Sequence, residues 1–248
     1  MIPVATAARR IPCEACPLRG NLYFRDFTPE ELRFISTFKR GELVADPGSV
    51  ILAEGAHSAQ LFTLLSGWAF RYKTLEDGRR QILNFLLPGD LVGLQGSVIG
   101  EMEHSVESLS PVVLCVFQRD DLPTLFESYP SLAFDVTWLA SREERMLDEN
   151  LLSVGRRNAM ERAAYLIAFL YQRAEKLGMA RKPVIPITQQ HVADTLGLSI
   201  VHTNKTLRKL VERQLIRWHG RACEVLDPVG LAELAGWDGI GEKRRPLI

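Results

Sequence analysis

Residues 187–211 read ITQQHVADTLGLSIVHTNKTLRKLV, the pattern of two short helices joined by a tight turn. Thr188 suits an N-cap, because its hydroxyl can accept a free backbone N–H of the first turn. Val192, Ala193 and Leu196 give the first helix an inward face. Gly197 closes that helix as a residue that tolerates positive φ, Leu198 plugs the corner and Ser199 caps the second helix. In the second helix Ile200, Thr203, Leu207 and Leu210 recur at spacings of three and four, which predicts one buried stripe. The opposite face presents Val201, His202, Asn204, Lys205, Arg208 and Lys209. A short helix with an apolar back and an amide, imidazole and cations in front suits the major groove of DNA.

Outward from this stretch the charge becomes local. Between Ser199 and Arg221 stand six cations (Lys205, Arg208, Lys209, Arg213, Arg217 and Arg221) against one acid, Glu212, although the whole chain balances 30 basic with 30 acidic residues. Such a concentration is what a phosphate footprint requires. An ordinary helical hairpin with a solvated basic face shares the helix pattern but not this imbalance. Leu215–Arg221 and Ala222–Leu226 then read as two short strands turning at Gly220, the wing of a winged helix. The expected DNA contacts are Thr188, Gln189, Ser199, Val201, His202, Asn204, Lys205, Arg208 and Arg221.

The 248 residues allow one or two domains. A hydrophobic content of 46% with 24% charged residues is that of a soluble globular chain. No apolar run approaches a membrane span, and the first residues lack the apolar core of a secretory signal, so a cytoplasmic location and no membrane partner are expected. In that compartment the four cysteines stay reduced. No nucleophile–base or metal–carboxylate constellation marks an enzyme.

In chain order, residues 1–27 form an arm carrying Cys13-Glu14-Ala15-Cys16. Thr28-Pro29-Glu30-Glu31 starts a short helix ending near Gly41. Within a sensory domain expected over 28–128, the chain turns β-rich from Glu42 to about Gln118, with glycines at 67, 78, 89 and 100 setting a strand-and-turn rhythm that predicts a roll or barrel. Leu75–Arg79 reads as a hairpin tip and Leu87–Asp90 as a turn. Residues 129–155 read as one long helix whose stripe of Leu132, Val136, Leu139, Met146 and Leu147 calls for a partner helix, with Glu143 and Asn150 setting its register. Packing on the chain's own roll is expected as the smaller share of that burial. A hinge is expected at 153–157. The DNA-binding domain fills 156–236, and the tail 237–248 reads as disordered. The fold class is α+β, with an N-terminal β-roll, a long dimerisation helix and a C-terminal winged helix-turn-helix.

This order resembles the CRP/FNR family of bacterial transcription regulators. The resemblance covers residues 13 to about 235. It rests on Leu65-Ser66-Gly67-Trp68, Asp77-Gly78-Arg79-Arg80-Gln81-Ile82, Pro88-Gly89-Asp90-Leu91-Val92-Gly93, Asn158-Ala159-Met160-Glu161-Arg162 and the Thr188–Leu210 motif. It implies a homodimer on a two-fold double-stranded DNA operator, a cyclic-nucleotide-binding-like jelly roll as sensor, and RNA polymerase as a further partner.

The resemblance also frames the signal. Cyclic-AMP-binding members carry Gly-Glu-Leu and, eleven residues after that Gly, an Arg-Ser pair for the ribose and the cyclic phosphate. Here the frame reads Gly93-Leu94-Gln95 and His104-Ser105, so carboxylate and guanidinium are both missing and cyclic AMP is not expected as effector. His104 reads as a surface or satisfied loop histidine. FNR-type oxygen sensors hold a [4Fe–4S] cluster on four cysteines. This chain offers Cys13, Cys16 and Cys115, has Leu22 where the third would stand, and leaves a fourth ligand to a carboxylate such as Asp26, a water or a small thiol. An iron–sulfur cluster, a redox thiol pair and a zinc site remain open, as does a Cys115 that is merely core. Cys223 reads as incidental. The leading expectation is a DNA-binding regulator with a redox-, oxygen-type or unknown signal; the alternative is a cyclic-nucleotide-type sensory module with a non-DNA output.

Overall fold

A computed structural model describes residues 11–179, 184–241 and 243–248. The first ten residues of the arm lie outside them. Helix α1 (Pro29–Phe38) begins on a full capping box: Thr28 Oγ1 accepts the Glu31 amide at 3.1 Å and the Glu31 carboxylate accepts the Thr28 amide at 2.8 Å. Strands β1 (Lys39–Ala45), β2 (Val50–Leu52), β3 (Gln60–Ser66), β4 (Ala69–Thr74), β5 (Arg80–Leu86) and β6 (Leu91–Val92) follow. A short α2 (Leu94–Ile99) precedes β7 (Ser105–Ser108) and β8 (Val112–Gln118). The strands form two four-stranded sheets, ordered β1-β8-β3-β6 and β2-β7-β4-β5, so the predicted roll is present.

Alternation of residues along β3 and β8 explains the layering. Phe62, Leu64, Val112 and Leu114 point into the roll and pack with Leu52, Leu86, Met102 and Val106. Cys115 and Phe117 point outward, and Phe38 of α1 stacks on Phe117 at 4.9 Å between centroids.

Helix α3 (Leu122–Ser128) leads into α4 (Pro130–Arg156). The chain divides into two compact units. The first takes the described parts of Met1–Arg71, Leu86–Glu144 and Lys243–Ile248, and the second those of Tyr72–Phe85 and Arg145–Glu242. Among the described residues no helix is long and apolar enough to cross a membrane.

Four expectations are corrected here. Leu132, Val136, Leu139 and Met146 are buried by the chain itself, so the apolar stripe of α4 is spent on intramolecular packing and not held for a second copy. Glu143 pairs with Arg71 at 2.8 Å, and the Asn150 amide donates to the Leu83 carbonyl at 2.9 Å, so neither is a free register element. The apolar residues that α4 leaves exposed are Phe134, Ala140, Leu147, Leu151, Leu152 and Val154, of which Ala140, Leu147, Leu151 and Val154 are spaced seven, four and three. The expected hinge at 153–157 is helical as far as Arg156, so the break falls only at its last residue, Arg157, and at Asn158. The tail is ordered from Lys243, with Arg245, Leu247 and Ile248 buried in the first unit.

In the second unit α5 (Ala159–Lys176) is capped by Asn158, whose side-chain oxygen accepts the Met160 and Glu161 amides. Around it stand β9 (Val184–Ile185), α6 (Gln189–Leu196), α7 (Ile200–Glu212), β10 (Ile216–His219), β11 (Ala222–Val225) and α8 (Pro228–Ala235). The wing strands β10 and β11 pair antiparallel, and β9 adds a third strand that the sequence pattern did not reveal.

Candidate functional sites: a nucleic-acid face and a thiol cluster

The helix-turn-helix assembles as its spacing demands. Thr188 Oγ1 accepts the His191 amide at 3.2 Å, and His191 Nδ1 accepts the Thr188 amide at 3.2 Å, a capping box with an imidazole in the place usual for a carboxylate. Burial, reinforced by the nearby positive charges of Arg80 and Arg221 against Asp194, pulls the His191 pKa down to about 4, so the ring is neutral and free to accept. Gly197 ends α6 with φ +64, the left-handed conformation that glycine adopts without strain. Ser199 Oγ accepts the His202 amide at 3.3 Å and starts α7.

Thr203, Thr206, Leu207 and Leu210 form the buried side of α7. Ile200 does not: it is 39% exposed in the first turn of α7, and Thr206 joins the stripe instead. Val201, 63% exposed, shares the open face with His202, Asn204, Lys205, Arg208 and Lys209. Arg221 is exposed beside Gly220 at the wing turn. Arg217 is engaged by Glu224 at 3.2 Å, so the six cations of this segment are not all equally available.

Two residues that the sequence reading did not single out as functional brace α6. Arg80 forms an ion pair with Asp194 at 2.9 Å, and the Gln81 amide donates to the Thr195 carbonyl at 2.9 Å. Both lie in the Asp77–Ile82 motif, which was the available signal.

In the first unit the three cysteines come into one electrostatic neighbourhood. Cys13 opens a 3₁₀ turn, Cys13–Ala15, in which the Cys16 amide donates to the Cys13 carbonyl at 3.3 Å. Cys115 lies on β8 opposite Glu42 of β1 and Thr63 of β3. Beside them is a buried ion pair, Lys39 Nζ to Glu42 Oε1 at 2.6 Å, with both side chains 2% exposed. Lys39 Nζ also donates to the Ile11 carbonyl at 2.7 Å, and the Ile11 amide donates to Glu42.

Burial pushes the Cys115 thiol up to about 11, against the lowering pull of the Lys39 ammonium and with added raising from Cys16, Cys13 and Glu42. Burial likewise raises Cys13, partly offset by a hydrogen bond to Ser36 and the charges of Lys39 and Arg19. Burial pulls Lys39 down most strongly of any single cause, but its hydrogen bond to Glu42 together with the charges of Cys115, Glu42 and Cys13 outweighs this and raises it. Burial raises Cys223 to about 12 in the wing core, in keeping with its incidental reading.

These residues do not make the donor set of a four-thiolate cluster. Leu22, where a third arm cysteine would stand, is 84% exposed. The Asp26 carboxylate is held by Arg244 at 2.9 Å, and a buried ammonium acts on the thiols. Among the described residues no group of three or more His, Cys, Asp or Glu is placed to hold a metal ion. In the cyclic-nucleotide frame Gly93 caps α2 with φ +92, and Leu94 follows. His104 is buried, not on the surface as one reading had it, and Ser105 Oγ accepts the Glu54 amide at 3.1 Å.

Comparison with known proteins agrees with this architecture. Residues 42–129 match the cyclic nucleotide-binding domain family, and residues 161–234 match the Crp-like helix-turn-helix domain family. The chain is 32% identical over 235 residues to the transcriptional activatory protein AadR of Rhodopseudomonas palustris, spanning 93% of this chain and 96% of that one. It is 29% identical over 224 residues to the nitrogen fixation regulation protein FixK of Bradyrhizobium diazoefficiens (90% and 93%), and 28% identical over 235 residues to the transcriptional activator FnrL of Cereibacter sphaeroides (92% and 94%). The solved structure of FixK2 from Bradyrhizobium japonicum shares the fold, with a TM-score of 0.69, 24% identity, and coverage of 78% of this chain and 96% of that one. With a sensory roll, a helix-turn-helix and relatives that are transcription regulators along nearly its full length, the chain belongs to the CRP/FNR family of transcription regulators.

Proposed function

We propose that the protein is a homodimeric, sequence-specific DNA-binding regulator whose sensory unit responds to a thiol-directed redox signal and not to cyclic AMP. The open face of α7 carries the DNA reading. Asn204 and Lys205 face base edges, Val201 offers an apolar contact for a thymine methyl, and Arg208 and Arg221 hold phosphates. Thr188, Gln189, Ser199 and His202 border that face. Two heads then meet half-sites about 34–36 Å apart. The exposed seam Ala140, Leu147, Leu151 and Val154 replaces the stripe first expected to join the two copies. RNA polymerase is the further partner this reading implies.

Lys205→Ala tests the reading. It should lose roughly 1–3 kcal/mol on the specific site, with little change on DNA already altered at the contacted base pair, whereas Arg221→Ala should weaken all sequences alike. Equal losses on specific and random DNA for both variants would refute Lys205 as a base reader.

The thiol reading rests on the neighbourhood of Cys13, Cys16, Cys115 and Lys39. The i to i+3 turn of Cys13 and Cys16 holds their Cα atoms within about 7 Å, near the span a disulfide bridges. A peroxide-class oxidant would take two electrons from this pair: one S–S bond forms, the O–O bond breaks, and the two thiol protons leave in two waters. Leu94 and His104 at the two positions that grip the nucleotide in cyclic-AMP-binding members support the absence of that effector.

A further inference from the structure

The last six residues, Lys243–Ile248, are seated in the first unit as a ligand would be. Arg245 is 1% exposed, and its guanidinium pairs with the equally buried Asp90 at 2.8 Å and donates to the Gly89 carbonyl at 2.7 Å. Its backbone bonds to the arm in both directions: the Arg245 amide to the Tyr23 carbonyl and the Arg25 amide to the Arg245 carbonyl, each at 2.8 Å. Arg244 reaches the Phe24 carbonyl and the Asp26 carboxylate. Leu247 and Ile248 are buried, and Thr63 Oγ1 donates to the main-chain oxygen of Ile248 at 2.5 Å.

The slot is built to receive this segment. Asp90 is also held by the Leu87 amide at 2.8 Å and by Arg142 at 3.2 Å, so a carboxylate stands fixed where the Arg245 guanidinium enters. A buried charge of this kind is tolerated only with its partners in place, which makes the arginine a specific key and not general adhesion. Gly89 must be glycine here, with φ +87 and a Cβ that would meet the Phe24 ring at 2.5 Å.

The register of the sheet places a thiol next to this seat. Directly paired residues of antiparallel strands share a face. Glu42, Cys115 and Thr63 therefore form one outward row across β1, β8 and β3. Glu42 at one end holds the arm through the Ile11 amide, and Thr63 at the other holds Ile248. Cys115 lies between them, so added bulk there must push on the arm or on the tail.

We propose that Lys243–Ile248 is a latch, an internal ligand of the sensory unit, and that oxidation of Cys115 unseats it: a peroxide-class oxidant gives the sulfur an oxygen, an S–O bond forming as the O–O bond breaks, and the thiol proton leaves with the other peroxide oxygen. The coupling to Cys115 rests on the thiol reading above; the latch itself does not. The chain reaches the latch from Ile240 and Gly241, whose carbonyls Lys176 Nζ holds at 2.8 Å within the DNA-binding unit. A change at the thiol thereby acts on the chain leaving that unit.

The test uses the full chain and two reporters of seating: trypsin cleavage after Lys243 and Arg244, and hydrogen exchange of the Arg25 amide. Both should be slow in the wild type. Arg245→Ala and Leu247→Ser should each speed them at least tenfold while the Leu114 amide in the roll core keeps its protection, which separates unlatching from general unfolding. Cys115→Met, standing in for an adduct, should do the same, and Cys115→Ala should not. Free cleavage in the wild type, or wild-type protection in both tail variants, would overturn the latch; protection in Cys115→Met would overturn its coupling to the thiol. Operator binding with and without peroxide, measured on the same samples, keeps the two readings apart. A tail released as described without any oxidant effect on DNA supports the latch and removes the thiol signal, and an oxidant effect with the tail still seated in Cys115→Met supports the thiol signal and removes its coupling to the latch.

Discussion

The recognition face of α7 and the row Glu42–Cys115–Thr63 are built in opposite ways. The first is open: its buried side is four residues of one helix, its functional side is solvated charge and amide, and every residue lies within a dozen positions of the others. The second is closed: its residues come from three strands, an arm and a tail, and its charges are buried and paired. An output that must meet a polyanion needs mobile, hydrated cations, and local periodicity is enough to display them. A sensor whose state must alter packing needs groups whose chemistry is felt by their neighbours, which requires burial and long-range assembly.

The largest effect that tests this contrast should come from the closed side. Lys39→Met leaves the Glu42 carboxylate buried without its ammonium, and loss of one partner of a buried pair costs about 3–5 kcal/mol. Chemical denaturation should show that loss, with Lys39→Met/Glu42→Leu recovering much of it. A surface-like loss below about 1 kcal/mol would mean the pair is effectively solvated.

The next effect crosses the contrast, because the DNA-binding unit has a buried histidine of its own. His191 is lowered by burial to about 4, beneath its ordinary 6.5. As pH falls the unfolded chain takes up this proton first, so the stabilising contribution is complete above pH 6.5 and lost between 6.5 and 4. At about 1.4 kcal/mol per unit, the loss approaches roughly 3 kcal/mol. Stability measured across that range should show it, and His191→Gln should flatten the curve. A wild-type curve already flat there would place the imidazole in water.

The smallest effect belongs to the open side. Thr188→Ala removes one cap from α6 and should cost about 1 kcal/mol, leaving the α7 face and its base preference unchanged. A changed preference would show that α6 positions the reading residues more tightly than this account holds.

The same contrast explains what the sequence could reveal. Thr203, Leu207 and Leu210 were legible because helical period places them on the buried side, whereas Ile200, in the first turn, fits the same period and is 39% exposed, so period alone does not settle burial at a helix end. The stripe of α4 had the right period, but the buried state of Leu132, Val136 and Leu139 depends on packing within the chain that spacing does not encode. Cys13, Cys16 and Cys115 could be picked out by resemblance, yet Lys39 could not, because its place beside them follows from strand register. Arg245 was least legible: an arginine near charged and glycine residues reads as solvated unless Asp90 is known to face it.

The central claim is that a signal entering at the thiols leaves at α7, and operator affinity before and after peroxide tests it most directly. For the wild type the account predicts a shift of roughly 5–150-fold, the usual range of coupling between two sites, reversed by reductant, and none in Cys13→Ala/Cys16→Ala/Cys115→Ala. Equal affinities for reduced and oxidised wild type, or the same shift in the triple variant, would contradict it.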